Sequence, residues 1–230
     1  MTALEVKNLH AGYGSAEVLF GIDLAIGASE VLAMLGRNGM GKSTLIRSIL
    51  GLTAVSTGKV EVGGKEVTGW PSHRVARAGV GWVPEGRQIF TSLTIEENLL
   101  VSARVGTWTL DKIYGLFPRL RERKHHFGNQ ISGGEQQMLA IGRALLTQPA
   151  VLMLDEATEG LAPLVRLEIW RTLDALKASG QSVLIVDRDL DALGKLANRF
   201  VVMEKGRIAL SGTNPELRSN RTEIERFLHV

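Results

Sequence analysis

The chain has 230 residues, of which 44% are hydrophobic, and its 27 Lys and Arg against 24 Asp and Glu leave a net charge of +3. This length and composition predict one large domain with a substantial core. The charge is too small and the basic residues too scattered to favour a nucleic-acid partner. The chain contains no cysteine, which excludes a disulfide framework and a thiolate metal site.

The sequence predicts neither a signal peptide nor a membrane-spanning helix. Residues 1–8 contain no basic segment leading into an apolar stretch, so we expect no signal peptide. No apolar run approaches the roughly 18 residues that a membrane-spanning helix needs. We therefore expect a chain that does not itself cross a bilayer.

Short apolar runs alternate with helical patterns along the chain, which predicts an α/β fold. The runs at 31–35, 151–154 and 182–186 are continuously apolar, as central strands of a parallel sheet are. The first two predicted strands are expected to pair as an antiparallel flap. The predicted strands are Leu4–Asn8, Val18–Ile26, Val31–Leu35, Lys59–Val62, Gly79–Val83, Val151–Leu154, Ser182–Val186, Phe200–Met203 and Arg207–Leu210.

Residues 36–44 read Gly-Arg-Asn-Gly-Met-Gly-Lys-Ser-Thr, a complete G-x-x-x-x-G-K-[ST] phosphate-binding loop. The loop follows a predicted strand and precedes a helical pattern, which is the context that this motif requires. Its glycines can turn backbone N–H groups toward an anion, its lysine brings a charge to the β- and γ-phosphates, and the Ser43 hydroxyl can ligate Mg²⁺. The predicted ATP-binding residues here are Gly36, Arg37, Asn38, Gly39, Met40, Gly41, Lys42, Ser43 and Thr44.

The stretch from 90 to 148 has no strong strand signal and is predicted to be a helical lobe. It is inserted between two halves of the α/β core, at 1–89 and 149–230, within a single domain of 230 residues. Helices are expected at Thr91–Val101 and at Leu110–His126, the second interrupted by Pro118. A run of basic residues from 119 to 126 is expected to be a solvated helix face rather than a site for lipid or nucleic acid.

A second glycine-rich segment, Ser132-Gly133-Gly134-Glu135, precedes another helical pattern inside this lobe. Serine is a favoured helix N-cap, and the N-terminus of a helix attracts anions. The chain therefore carries two candidate phosphate-binding helix termini, which lie in different parts of the predicted fold.

The predicted strand at 151–154 ends in two carboxylates, Asp155 and Glu156. The carboxyl edge of a parallel sheet is where ligands bind in α/β folds. Asp155 suits the outer shell of Mg²⁺. Glu156 suits a general base that activates water against the γ-phosphate, a role that contributes about 10²–10⁴ in rate. A helix is predicted at Leu164–Ser179, with Pro163 at its start and Gly180 at its end.

Together these motifs resemble the ABC ATPases over essentially the whole chain. The resemblance implies a P-loop NTPase core with an N-terminal β flap and an inserted helical lobe. It also implies a head-to-tail dimer, in which Ser132, Gly133, Gly134 and Glu135 of one chain close the ATP site of the other.

The resemblance assigns roles to further residues. Tyr13 matches the aromatic residue that stacks on adenine. Glu85 occupies the position of a glutamine beside Mg²⁺, so the implied metal-site residues are Ser43, Glu85 and Asp155. Arg188 stands where most members carry a catalytic histidine, and Ala162 stands where most carry an aspartate. Arg188 is expected either to contact the γ-phosphate or to pair with neighbouring aspartates and cap the following helix.

Within this family, Val-Pro-Glu-Gly-Arg and Gly-Leu-Ala-Pro-Leu resemble the LivF type, the ATP-binding subunit of branched-chain amino-acid importers. Thr-Glu-Gly at 158–160 is similar to urea and short-chain amide importers, which remain an alternative. The implied cofactors are ATP and Mg²⁺. The implied partners are integral-membrane permease subunits and a second ABC ATPase chain, identical or different. The implied location is peripheral, on the cytoplasmic face of the inner membrane, with a periplasmic solute-binding protein in the same system but not in contact.

The sequence argues against two other functions. A non-transport ABC ATPase acting on DNA or ribosomes usually carries coiled-coil insertions or tandem cassettes, for which 230 residues leave no room. A hydrolysis-impaired regulatory subunit is suggested by Arg188 and Ala162, but the intact Lys42, Asp155 and Glu156 count against it. The resemblance implies that this subunit does not contact the transported solute, which the permease and the solute-binding protein select.

Overall fold

The alternation of apolar runs and helical patterns folds into two sheets flanked by helices. The computed structural model describes residues 1–228. Within these residues the strands are β1 (Thr2–Tyr13), β2 (Ala16–Gly27), β3 (Val31–Leu35), β4 (Ala54–Val62), β5 (Lys65–Glu66), β6 (Val80–Val83), β7 (Val151–Asp155), β8 (Ser182–Val186), β9 (Arg199–Glu204) and β10 (Arg207–Thr213).

The helices connect and cover these strands. They are α1 (Lys42–Ile49), α2 (Ser72–Ala78), α3 (Ile95–Leu100), α4 (Leu110–Leu116), α5 (Pro118–Glu122), α6 (Gly133–Leu145), α7 (Pro163–Ala178), α8 (Leu190–Leu196), α9 (Asn214–Ser219) and α10 (Arg221–Leu228). None of the helices in the described residues has the length and apolar character that crossing a membrane requires.

The strand order confirms the predicted fold class. Strands β2, β1, β4 and β5 form an antiparallel sheet in that order. The expected antiparallel flap of two strands is therefore present, and two further strands extend it. The second sheet has the order β10-β9-β3-β8-β7-β6, in which only the β10–β9 pair is antiparallel. The three continuously apolar strands β3, β7 and β8 are its adjacent central members and are buried at every residue.

Strand β3 shows how the central sheet separates two hydrophobic clusters. Val31, Ala33 and Leu35 pack in the cluster that includes α6 and α7, while Leu32 and Met34 pack in the cluster that includes α1 and the flap. Successive side chains of a strand point to opposite faces, so a strand between two apolar layers must be apolar throughout.

Several helices begin or end at residues other than those predicted, because capping residues and a proline set their ends. Helix α3 begins at Ile95 rather than at residue 91, because Thr94 and Glu97 form a capping box there. The predicted helix at 110–126 is two helices, α4 and α5, which meet at Phe117 before Pro118, and residues 123–126 are not helical. The residue before a proline is disfavoured in a helix. Helix α7 was predicted within one residue at each end.

Central strands β3, β7 and β8 run parallel, so their carboxyl ends share one edge of the sheet. The residues that follow them are Gly36, Glu156 and Asp187. The fold therefore brings together three loops that lie far apart in the sequence, at the edge where α/β proteins bind ligands.

Candidate active site

The phosphate-binding loop joins β3 to α1 through residues in the left-handed region. Gly36, Gly39 and Gly41 have φ of 140°, 78° and 102°. A Cβ on Gly36 would lie 2.5 Å from the carbonyl oxygen of Met203, so that position admits only glycine. Gly41 is the N-cap of α1, and no side chain of the described residues caps this helix. The first N–H groups of α1 are therefore left for a ligand at the positive end of the helix dipole.

Lys42 lies under this loop and is only 6% exposed. Its Nζ donates to the carbonyl oxygens of Gly36, at 2.7 Å, and Arg37, at 2.9 Å. Burial lowers the pKa of Lys42, and the nearby Glu156 carboxylate acts in the opposite direction. The ammonium is thus fixed beside the helix terminus, where both attract an anion.

The end of β7 brings Asp155 against the phosphate-binding loop. Asp155 is 4% exposed, and burial raises its pKa while a hydrogen bond from Ser43 opposes the rise. The negative charge of Glu85 raises the pKa further. A hydroxyl and carboxylate oxygens in contact are the donor set that suits Mg²⁺.

Glu156, the next residue, has a positive φ angle and a raised side-chain pKa. Its φ is +52°, a strained value for a residue with a side chain. A hydrogen bond shared with Glu159, followed by burial, raises the pKa of Glu156 to about 7. The same hydrogen bond lowers the pKa of Glu159.

Glu159 is a site residue for which the sequence analysis proposed no role. Oxygens of Glu85, Glu156 and Glu159 all lie within 4.8 Å of one another. A glutamate in a turn carries no motif of its own. The only signal was its spacing from Glu156, which the turn closes through a 3.2 Å bond from the Glu159 N–H to the Glu156 carbonyl.

Arg188 points into the same region from the loop after β8. Its guanidinium donates to Oδ1 of Asn38 on the phosphate-binding loop, and its Nη2 lies 3.6 Å from Oε1 of Glu156. Asp189 caps α8 by accepting from the N–H of Ala192 at 3.0 Å. The capping role that was the alternative for Arg188 thus belongs to Asp189.

The phosphate-binding loop and three glutamates surround a cleft of about 290 Å³. It is lined by Asn38, Gly39, Gly41, Lys42, Ser43, Thr44, Glu85, Glu156 and Glu159. Asp155 and Arg188 are outside its lining, although Asp155 bonds Ser43 and Arg188 lies 3.6 Å from Glu156. Three predicted ATP-binding residues, Gly36, Arg37 and Met40, belong to the loop but not to this lining. Tyr13 ends β1 outside the lining and is 49% exposed.

The signature segment, Ser132–Glu135, lies at the start of α6 and does not line the cleft. Ser132 caps α6 by accepting from the N–H of Glu135 at 3.3 Å, and Glu135 accepts from the N–H and hydroxyl of Ser132 at 2.7 Å each. Arg123 donates to both carboxylate oxygens of Glu135 at 2.9 Å. Within one chain this segment is a complete helix cap that is separate from the cleft.

Comparisons with known proteins agree with this geometry. The sequence profile of the family described as ABC transporter matches residues 19–159. The chain is 38% identical over 224 residues to the high-affinity branched-chain amino acid transport ATP-binding protein BraG of Pseudomonas aeruginosa, covering 94% of this chain and 95% of the relative. It is 35% identical over 237 residues to the probable branched-chain amino acid transport ATP-binding protein LivF of Archaeoglobus fulgidus, with coverages of 97% and 96%.

Among solved structures, an ATP-binding cassette of an ABC transporter in its ADP conformation superposes with a TM-score of 0.84 at 25% identity, covering 98% of this chain and 99% of the other. The chain therefore belongs to the ABC transporter family, and it is an ATP-binding ATPase cassette of that family.

Proposed function

We propose that this protein binds and hydrolyses ATP to energise a membrane importer for branched-chain amino acids. The observation that supports this chemistry is one cleft lined by both the phosphate-binding loop and Glu156, with Asp155 hydrogen-bonded to Ser43 of that loop. The names of two relatives that match nearly the whole chain support the solute class. The urea and amide alternative is supported only by the segment at 158–160.

In this proposal the phosphates of ATP lie at the N-terminus of α1, where Lys42 supplies the countercharge. Ser43, Glu85 and Asp155 would hold Mg²⁺, because Asp155 is hydrogen-bonded to Ser43 and close enough to Glu85 to feel its charge, and their oxygens are the hard donors that this ion prefers. When bound, the ion neutralises charge on the β- and γ-phosphate oxygens. Tyr13 would stack on the adenine from the end of β1.

Glu156 would act as the general base. A pKa of about 7 is close to the value at which a carboxylate both is substantially ionised and accepts a proton readily near neutral pH. Arg188 would contact the γ-phosphate as a cis-acting arginine, because its guanidinium already lies between Asn38 and Glu156.

The partners follow from surfaces outside the cleft. We propose that Ser132, Gly133, Gly134 and Glu135 complete the ATP site of a second ABC ATPase chain, identical or different. A groove of about 380 Å³, lined by Leu52, Trp82, Arg143 and others, lies between α2 and α6 and would receive a permease segment. Trp82, in β6, lines this groove and Glu85, two residues after β6, lines the nucleotide cleft, so the end of β6 and the residues after it connect the two.

The permease would place the protein on the cytoplasmic face of the inner membrane as a peripheral subunit. A periplasmic solute-binding protein would deliver the amino acid to the other side of the same permease, without touching this chain. The division into a core at 1–89 and 149–230 and a helical lobe at 90–148 is part of the proposal.

The substitution Glu156→Gln tests the chemistry. It should abolish ATP turnover while ATP still binds, because only the base is lost, and ATP should then trap a dimer that gel filtration detects. Glu223→Gln, on the exposed face of α10, is the matched control. Wild-type turnover in Glu156→Gln would contradict the assignment of the base.

The solute class needs a separate experiment. The ATPase, copurified with its permease in lipid vesicles, should hydrolyse ATP faster when its solute-binding protein is loaded with leucine. Stimulation by urea and not by leucine would replace the branched-chain proposal with the amide alternative.

A further inference from the structure

A buried aspartate outside the cleft lining joins two of the loops that form the site. Asp187 follows β8 and is 8% exposed. Its Oδ2 accepts from the hydroxyl of Thr158 at 2.6 Å. Its Oδ1 accepts from the N–H groups of Arg188, at 2.7 Å, and Asp189, at 3.1 Å. One carboxylate thus accepts three hydrogen bonds, which come from both loops.

The two loops carry the two groups that act on the γ-phosphate in the proposed function. Thr158 lies two residues after Glu156, and Arg188 is the neighbour of Asp187. The Glu156 N–H also donates to the carbonyl oxygen of Val186 at 3.0 Å. The loop that carries the base is therefore attached to the end of β8 through its backbone at Glu156 and through the side chain of Thr158.

The backbone of Glu156 explains why a second attachment is needed. Its φ of +52° is disfavoured for a residue with a Cβ. Such a conformation persists only when the surrounding contacts over-determine it. Without the Thr158 contact, the loop is free to relax toward negative φ, and the Glu156 carboxylate moves with it.

We propose that Asp187 is a positioning residue for ATP hydrolysis. Its carboxylate clamps the loop after β7 to the loop after β8, so that Glu156 and Arg188 are held together, 3.6 Å apart, as one rigid unit. This inference rests on the proposed function, because it assumes that Glu156 is the base. It adds a residue that does not line the nucleotide cleft.

The substitution Thr158→Val is the sharpest test, because it keeps the shape of the side chain and removes only the donor to Asp187. We expect kcat to fall at least tenfold, because a displacement of about 1 Å in a catalytic group can reduce the rate about 10²-fold. The ATP dissociation constant should change less than about threefold, because the phosphate-binding loop is untouched. Hydrogen exchange of the peptide spanning 156–161 should become faster.

Thr172→Val is the matched control. Thr172 is a buried threonine whose hydroxyl, within the part of the chain that the structure describes, donates only to the carbonyl oxygen of Glu168 in its own helix, at 3.0 Å. Its replacement should leave kcat and the exchange of residues 156–161 unchanged. A Thr158→Val enzyme with wild-type kcat would overturn the clamp.

Substitutions of Asp187 separate position from charge. Asp187→Ala should lose rate as Thr158→Val does, and the double variant should be no worse than Asp187→Ala alone, since both remove one bridge. Asp187→Asn should recover most of the rate, because its oxygen accepts from the backbone and its amide donates to Thr158. An Asn variant as slow as the Ala variant would overturn a positioning role.

The Glu156→Gln variant distinguishes failure of the proposed base from failure of the clamp. If that variant hydrolyses ATP normally, the proposed base is wrong and the clamp has nothing to position. If it is inactive while Thr158→Val is unaffected, only the clamp is wrong. Should Asp187→Ala fail to fold, Thr158→Val and Asp187→Asn still decide the question.

Discussion

Helices α1 and α6 both follow glycine-containing motifs, but their N-termini are built in opposite ways. Helix α1 begins after Gly41 in the left-handed conformation, with no capping side chain among the described residues. Helix α6 begins with a full capping box, in which Ser132 and Glu135 bond each other's backbone N–H groups. The first terminus has Lys42 beside it, whereas the second has a carboxylate in its first turn.

This difference shows that a helix terminus alone does not make an anion site. No side chain in residues 1–228 caps the first-turn N–H groups of α1, and a buried cation adds to the dipole. At α6 the negative charge of Glu135 already lies at the positive end of the helix dipole, and Arg123 forms an ion pair with Glu135. We therefore expect α1 to bind phosphate on its own, and α6 to contribute only when a second chain brings a phosphate that is already bound.

The largest expected effect comes from removing the cation at α1. Lys42→Ala should weaken ATP binding by the isolated chain at least tenfold, which corresponds to about 1.4 kcal/mol, because the phosphates lose their buried countercharge. Isothermal titration with ATP measures this, with the exposed Lys59→Ala as the control. A dissociation constant within about threefold of wild type would remove the contrast between the two helices.

Next comes the arginine that touches the loop before α1. Arg188→Ala should lower kcat tenfold or more, about 1.4 kcal/mol of transition-state stabilisation, with a smaller effect on ATP affinity. The kcat of Arg188→Lys should fall between those of wild type and Arg188→Ala, since lysine keeps the charge but not the planar pair of donors. Steady-state kinetics on the dimeric enzyme would decide, and full activity in the alanine variant would limit Arg188 to its contact with Asn38.

A smaller effect is expected at the cap of α6. Ser132→Ala should lower the free energy of unfolding by about 1 kcal/mol, as loss of an N-cap does, and weaken ATP-dependent dimerisation without changing ATP binding by the monomer. Thr94→Ala, which breaks the similar capping box of α3, should destabilise the fold equally but leave dimerisation intact. Equal dimerisation in both variants would mean that Ser132 does no more than cap its helix.

The smallest effect is pH-dependent and concerns Glu135. Burial acts to raise its pKa, but the hydrogen bonds from Ser132 and Arg123 outweigh burial and hold the pKa below its ordinary value. A lowered pKa stabilises the fold above the unfolded value of about 4.3, and this stabilisation is lost as the pH falls through the folded pKa.

Glu135→Gln should therefore be less stable than wild type at pH 7, by roughly 0.5 kcal/mol for a partly exposed pair, and the gap should close as the pH falls below about 4.3. Denaturant unfolding at several pH values measures the gap. A gap that stays constant with pH would show that the charge of Glu135 contributes nothing.

The sequence by itself determined the parts of the molecule that are set by neighbours in the chain. The phosphate-binding loop is specified by its own glycines, because positive φ is a local requirement. The central strands were readable because burial on both faces demands continuous apolar runs. Helix α7 was bounded closely because proline and glycine act at its own ends.

Only the tertiary structure decided what depends on distant partners. Glu159 meets Glu85 across 74 positions of chain, Arg188 meets Asn38 across 150, and Asp187 meets Thr158 across 29. No local sequence pattern predicts such contacts, because they arise from parallel strands that end at one edge of a sheet. The boundaries of α3, α4 and α5 were also missed, since a capping box and one proline override a helical pattern that continues through them.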